Sequence, residues 1–201
     1  MEKANRKNRN LKIFGDGTAS GGVYNNVVIR GVADIDGVLD CANFKVTGVC
    51  NIHGGLQAKL FKLVGTSDVD GSISADEVKI VGEVTVRGDC NAESLAVMGG
   101  FTIDGLLNAG KIDISPYGLC EVKEMGGETI QVRTRFRMFV GYQHLICETI
   151  EGDDIKLEYT KARVVRGNKV SIGPGCEIGL VEYKEYFAQA KEATVNDCKK
   201  I

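Results

Sequence analysis

GVADIDGVLDCANFKVT (31–47), GVCNIHGGLQAKLFKLV (48–64), GTSDVDGSISADEVKIV (65–81), GEVTVRGDCNAESLAVM (82–98) and GGFTIDGLLNAGKIDIS (99–115), set one above another, share a 17-residue period. Gly31, Gly48, Gly65, Gly82 and Gly99 head the five units, and Gly37, Gly54, Gly71, Gly88 and Gly105 follow six residues later. A fixed period of this length marks a repeat architecture, in which each unit is too small to bury its own apolar face.

The apolar residues keep the same period. With the heading glycine as position 1, position 5 holds Ile35, Ile52, Val69, Val86 and Ile103, and position 16 holds Val46, Leu63, Ile80, Val97 and Ile114. Position 9 holds Leu39, Leu56, Ile73, Cys90 and Leu107, and position 11 only small residues, from Cys41 to Ala109. Positions 3 and 5, 9 and 11, and 14 and 16 are each two apart, the spacing that puts side chains on one face of a strand. Three short strands with inward pairs make a three-sided coil. The glycines fall between strands, at corners that need positive φ or leave no room for Cβ. A helical stripe of period 3.6 is absent. The fold expected is therefore all-β, a parallel β-helix or β-solenoid of coils of about 17 residues. The small position 11 predicts a narrow point in its interior.

The flanks follow less regularly. Val27 and Ile29 fit positions 14 and 16 of a degenerate earlier coil, and residues 1–12 read as a basic tail. The solenoid is expected over 13–132, with Ile130 and Val132 in a further strand, an excursion or hairpin over 133–148, and a resumption over 149–183. There the spacing shortens: Gly152 and Gly167, Ile155 and Val170, and Leu157 and Ile172 are each 15 apart. Residues 184–201 are polar and helix-compatible and read as a loose tail or short capping helix.

The chain has 201 residues, a formal charge of −2, 26 glycines, two prolines and no tryptophan. That balance gives no bulk pull toward nucleic acid. The longest apolar run, Leu95 to Met98, is far too short to span a bilayer. The N-terminus has basic residues without an apolar stretch behind them, unlike a secretory signal. Seven cysteines without paired spacing fit a reducing compartment, so a cytoplasmic place is expected.

With these residues in view, the chain resembles the bactofilins, polymer-forming bacterial cytoskeletal proteins, and within them a longer subtype of Gram-positive bacteria. The likeness rests on the glycine-punctuated repeat, on GLLNAGKIDI (105–114) and GGETIQVR (126–133), and on IEGDDIKLEYTKARVVRGNKVSIGPGCEIGLVEY (150–183). It implies a right-handed β-helix that polymerises end to end without nucleotide, in the cytoplasm or at the inner face of the membrane. The implied partners are further copies of the chain, with the membrane surface or cell-envelope proteins beside them. It brings no catalytic residue, no cofactor, no small-molecule substrate and no nucleic acid. The break at 133–148 departs from the simpler members.

Physics points the same way. A solenoid ends in strands whose N–H and C=O groups lack partners, and such edges template further pairing. The candidate polymer interface is Phe14, Val27 and Ile29 at one end and Ile178, Leu180 and Tyr183 at the other. RTRFRMF (133–139) alternates Arg133, Arg135 and Arg137 with Thr134, Phe136 and Met138, a candidate lateral or lipid contact, although an edge strand with one charged and one apolar face is the preferred reading.

Other chemistries are weaker. Asp34/Asp36, Asp68/Asp70 and Asn51/His53 suggest a calcium column, but His53 and Arg87 interrupt it and Asp beside a glycine corner is ordinary turn chemistry. Cys41, Cys50 and Cys90 occupy inward positions and read as small hydrophobes; without a C-x-x-C spacing, zinc has little support. VSIGPGCEIG (170–179) resembles a hexapeptide unit of left-handed β-helix acyltransferases, the main enzymatic alternative. That chemistry needs a positioned base, and His53 and His144 have no evident partner. A monomeric binding module with a capped end is the third reading. The reading preferred is a scaffold without an active site.

Overall fold

Side chains at positions 3, 5, 9, 14 and 16 point into one continuous core, which runs the length of the molecule from Tyr24 to Ala193. A computed structural model describes residues 9–134 and 144–201 of the chain. It is a parallel β-solenoid. Its extended segments are β1 (Asn10–His53), β2 (Leu56–Val69), β3 (Ile73–Val86), β4 (Cys90–Val132), β5 (Leu145–Leu157), β6 (Thr160–Ile172), β7 (Glu177–Gln189) and β8 (Thr194–Lys200). They pair in chain order in a single parallel sheet that wraps round the core.

The register in the first part is the one the glycines predict. Leu39 pairs with Leu56, Phe44 with Phe61 and Gly48 with Gly65, each 17 residues on, and the same offset continues to Val86–Ile103. Like residues therefore stack on like, and the Phe44 and Phe61 rings lie 5.2 Å apart, nearly parallel. The two glycine series serve different needs. Gly48, Gly65 and Gly82 have φ of +124°, +132° and +130°, and a Cβ on any of them would strike the carbonyl oxygen of the glycine below. In the second series Gly54 and Gly71 lack a positive φ, and only the closeness of the coil beneath demands glycine: a Cβ on Gly54 would lie 2.6 Å from the carbonyl carbon of Gly37.

From Leu145 the coil shortens. Leu145 pairs with Thr160, Gly152 with Gly167 and Leu157 with Ile172, all 15 apart as the sequence suggested. One residue is lost at each glycine corner. Where Ile35 and Leu39 are separated by three residues, Cys147 and Ile150 are separated by two; where Val46 and Cys50 are separated by three, Leu157 and Thr160 are separated by Glu158 and Tyr159 alone. Tyr159 takes φ of +47°, replacing the glycine. Gly127, Gly152 and Gly167 occupy position 11, one above another, where a Cβ would meet the carbonyl oxygen beneath. The narrow point foreseen from the alanines is thus tighter here.

Three boundaries differ from expectation. The solenoid resumes at Leu145, not at 149, and Val132 and Leu145 flank the same corner as Leu157 and Thr160. Residues 184–201 form neither a loose tail nor a capping helix. Lys184–Gln189 complete β7, and Thr194–Lys200 form β8, with Val195 on Ile178 and Cys198 on Val181. Helix-forming residues yield to strand pairing because the preceding coil offers an open ladder. At the other end β1 begins at Asn10, inside the segment read as a tail.

Candidate functional site

The two ends carry the groups an assembling solenoid would use. The Asn26 side chain and backbone N–H both donate to Asn10 Oδ1, at 3.0 and 3.1 Å, and Gly31 lies over Gly15, an offset of 16. That offset sets Val27 above Leu11 and Ile29 above Ile13. Val27 and Ile29 are fully buried, one coil inside the end. Leu11 and Ile13 are only partly buried against the core, and among the described residues no strand lies outside them. Phe14 is exposed, its ring 5.7 Å below the Arg30 guanidinium. Arg9 lies 4.5 Å from the centre of the Tyr24 ring and donates to its hydroxyl at 3.2 Å; that hydroxyl donates to Ser20 O at 2.9 Å.

The other end shows the same shift. Ile178 is buried beneath Val195, Leu180 pairs with Asp197, and Tyr183 pairs with Lys200. Tyr183 stacks on Phe187 at 5.5 Å. The outermost inward side chains are thus Val195 and Phe187, both partly buried. Of the residues named from sequence, Val27, Ile29 and Ile178 lie inward one coil inside the ends, Leu180 and Tyr183 lie on that same inner coil, and Phe14 lies on the outermost one. The alternation Asn10-Leu11-Lys12-Ile13 carried the signal for one end; Val195 had little around it to reveal the other.

Arg133 sits at the corner and donates to Asp113 Oδ2 at 2.8 Å, and the Thr134 N–H donates to Glu158 Oε2 at 3.1 Å. Arg135 and Arg137 lie outside the described residues. His144 returns the chain to the coil, its ring 6.2 Å from Tyr159 and edge-on.

The remaining candidates form side-chain ladders. Asn51 donates to Asp34 at 2.8 Å, while Asp70 accepts from His53 at 3.0 Å and from Arg87 at 3.3 Å. His53 is raised above its ordinary value, chiefly by that hydrogen bond, and Asp70 is lowered by the same bond. Among the described residues no three His, Cys, Asp or Glu side chains gather as metal ligands. Burial pushes the thiols of Cys50, Cys90, Cys120 and Cys147 up to about 12 and that of Cys176 to about 11, the opposite of an activated nucleophile. Only Cys198 is exposed.

Two shallow recesses of about 470 and 560 Å³ lie on either side of Arg163. Glu121, Lys123 and Glu148 line the first, and Glu124, Glu151 and Arg166 the second. Neither histidine reaches them. Gly173-Pro174-Gly175, within the hexapeptide-like stretch, is a plain corner between Ile172 and the buried Cys176.

Among known proteins the chain is similar to two uncharacterized proteins of Bacillus subtilis. It is 44% identical to YhbF over 84 residues, 39% of this chain and 36% of that protein. To YhbE it is 40% identical over 84 residues, 39% of this chain and 35% of that protein. The chain thus matches about a third of the length of these curated relatives. No protein-family profile matches the chain, and no solved structure matches it. No helix among the described residues is long and apolar enough to cross a membrane.

Proposed function

We propose that the chain is a self-assembling scaffold of the bactofilin type, without enzymatic activity, whose solenoids stack end on end into filaments that need neither nucleotide nor metal. The observation that carries this reading is the open parallel ladder at each end. Asn10–Phe14 and Thr194–Lys200 each have a neighbouring strand on their inner side and none among the described residues on their outer side. Outer N–H and C=O groups and half-buried Leu11, Ile13, Phe187 and Val195 invite strand addition by a second copy. The partner is the chain itself, in the cytoplasm, with the membrane surface or envelope proteins as further neighbours. Neither histidine lines either recess, which favours the scaffold over an acyltransferase with a histidine base.

End-blocking substitutions test this. Ile13→Asp and Val195→Asp place a carboxylate on the outermost coil, at sites only partly buried in the monomer and fully covered beneath a second solenoid in the polymer. Both variants should sediment as monomers with an unchanged β signal by circular dichroism. Wild-type assembly by both variants would refute end-on stacking.

A further inference from the structure

The three corners of the coil differ in chemistry. The position 6–8 corner carries a column of Asp36, His53, Asp70 and Arg87 beside its glycines, with Val38 and Leu106 as isolated exposed apolar residues, and the position 12–13 corner carries residues such as Asn43, Lys59, Asp76 and Glu77. The corner of the heading glycines is apolar. Phe14, Val32, Val49, Val64, Val81 and Met98 stand there with 36% to 63% of their surface exposed. They flank a column of glycines without Cβ, with Val64, Val81 and Met98 stacked on one side and Val32 and Val49 on the other. Leu119 continues the line, its carbonyl oxygen 2.9 Å from where a Cβ on Gly100 would lie. At the coil spacing this is an apolar ridge about 30 Å long.

Its two flanks carry opposite charge. On one side Arg30, Lys45, Lys62 and Lys79 point outward, Lys79 held by Glu77 at 2.6 Å. On the other stand Asp34, Asp68 and Glu83. A large exposed apolar line on a soluble surface marks an interaction site, and the flanking charges say with what. Viewed along the axis, two parallel solenoids related by a twofold axis between their ridges bring the basic flank of each against the acidic flank of the other. Reversing one of them brings acid against acid and base against base.

We propose that this ridge is a lateral docking surface for a second copy of the chain, the two solenoids lying side by side and pointing the same way. Each residue on the ridge then faces its own counterpart at the same height, as a twofold interface requires. The ridge offers roughly 300 Å², well below the roughly 800 Å² per partner of a standard interface. A single pair is weak, and the contact gains strength when it repeats along a polymer; in that respect the inference rests on the end-to-end reading.

The test is site-directed bridging with a short bismaleimide. Cys198→Ser removes the exposed thiol, and the other cysteines are buried. Val32→Cys, Val81→Cys and Met98→Cys are introduced singly, with Gln57→Cys on another face as control. Parallel pairing predicts a covalent dimer for each of the three ridge variants, none for Gln57→Cys, and none between differently tagged Val32→Cys and Met98→Cys chains. Charge reversal on one flank, Lys45→Glu with Lys62→Glu, should abolish bridging, and adding Asp34→Lys with Asp68→Lys should restore it. Bridging of Val32→Cys to Met98→Cys, or no bridging by any ridge variant, would overturn the proposal. Filaments without ridge bridging would leave end-on stacking intact; ridge bridging without filaments would do the reverse.

Discussion

The coils from Gly31 to Ser115 and those from Leu145 to Ile172 enclose the same kind of core with different corners. The first use three-residue corners built on glycine, with positive φ where the backbone turns most sharply, and bury phenylalanines at position 14. The second drop a residue at two corners, turn through Tyr159, and move their glycines to the interior narrow point at position 11. Their outer faces also differ. The second part ladders its charges at position 10, with Arg166 bridging Glu151 and Glu182, the latter at 2.6 Å, where the first ladders His53 and Arg87 on Asp70 at position 6. Coil length is therefore set at the corners, and the strand registers absorb the change without a break in the sheet.

Because repeats couple mainly to their neighbours, the two parts should respond separately to damage. Phe61→Ala removes a stacked, fully buried ring and should cost about 3–5 kcal/mol. Hydrogen exchange should accelerate in the coils around Phe44 and Val78 while Ile155 and Val170 keep their protection; equal loss in both parts would show a single cooperative unit. Gly65→Ala meets both a forbidden φ and the Gly48 carbonyl, and the dihedral alone should cost about 1–3 kcal/mol. Gly152→Ala meets only crowding, and urea midpoints should rank it the milder of the two.

Deleting residues 134–143 joins the two parts more directly. It leaves Arg133 and His144 as a two-residue corner, the length of Glu158–Tyr159, and the shorter closure should stabilise the chain by about 1 kcal/mol. Loss of the β signal would mean that the insertion holds the second part in place. The smallest effect concerns pH. His53 is raised above 6.5, so its contribution is complete below 6.5 and is lost as pH rises through its higher folded value. Asp70 is lowered below 3.8, so its share is present above 3.8 and is lost as pH falls through its lower folded value. Both side chains are open to solvent, so a small fall in melting temperature as pH rises above 6.5 is expected, absent in His53→Gln. The second part, without a histidine after Leu145, should show no such slope in exchange measurements.

The first part was legible because its ladders repeat identity: Ile35 on Ile52, Leu39 on Leu56, glycine on glycine. The later coils were legible only as a changed spacing, since Gly152 and Gly167 hold an interior column and not the corners that glycine marks earlier. Residues 184–201 misled because Ala188, Ala190, Lys191, Glu192 and Ala193 favour a helix in isolation, and pairing with the coil below overrides that preference. The ends were misplaced for the same reason, because the outermost coil lies wherever pairing stops. The apolar ridge was invisible as a pattern of burial, since its valines alternate with glycine at a corner and not along a strand.

End-on assembly is tested most directly by electron microscopy of the purified full chain at micromolar concentration, without nucleotide or metal. Filaments of constant width, with an axial repeat of about 4.8 Å running unbroken through the junctions between subunits, are expected. Uniform particles of monomer size at every salt concentration and pH would contradict it.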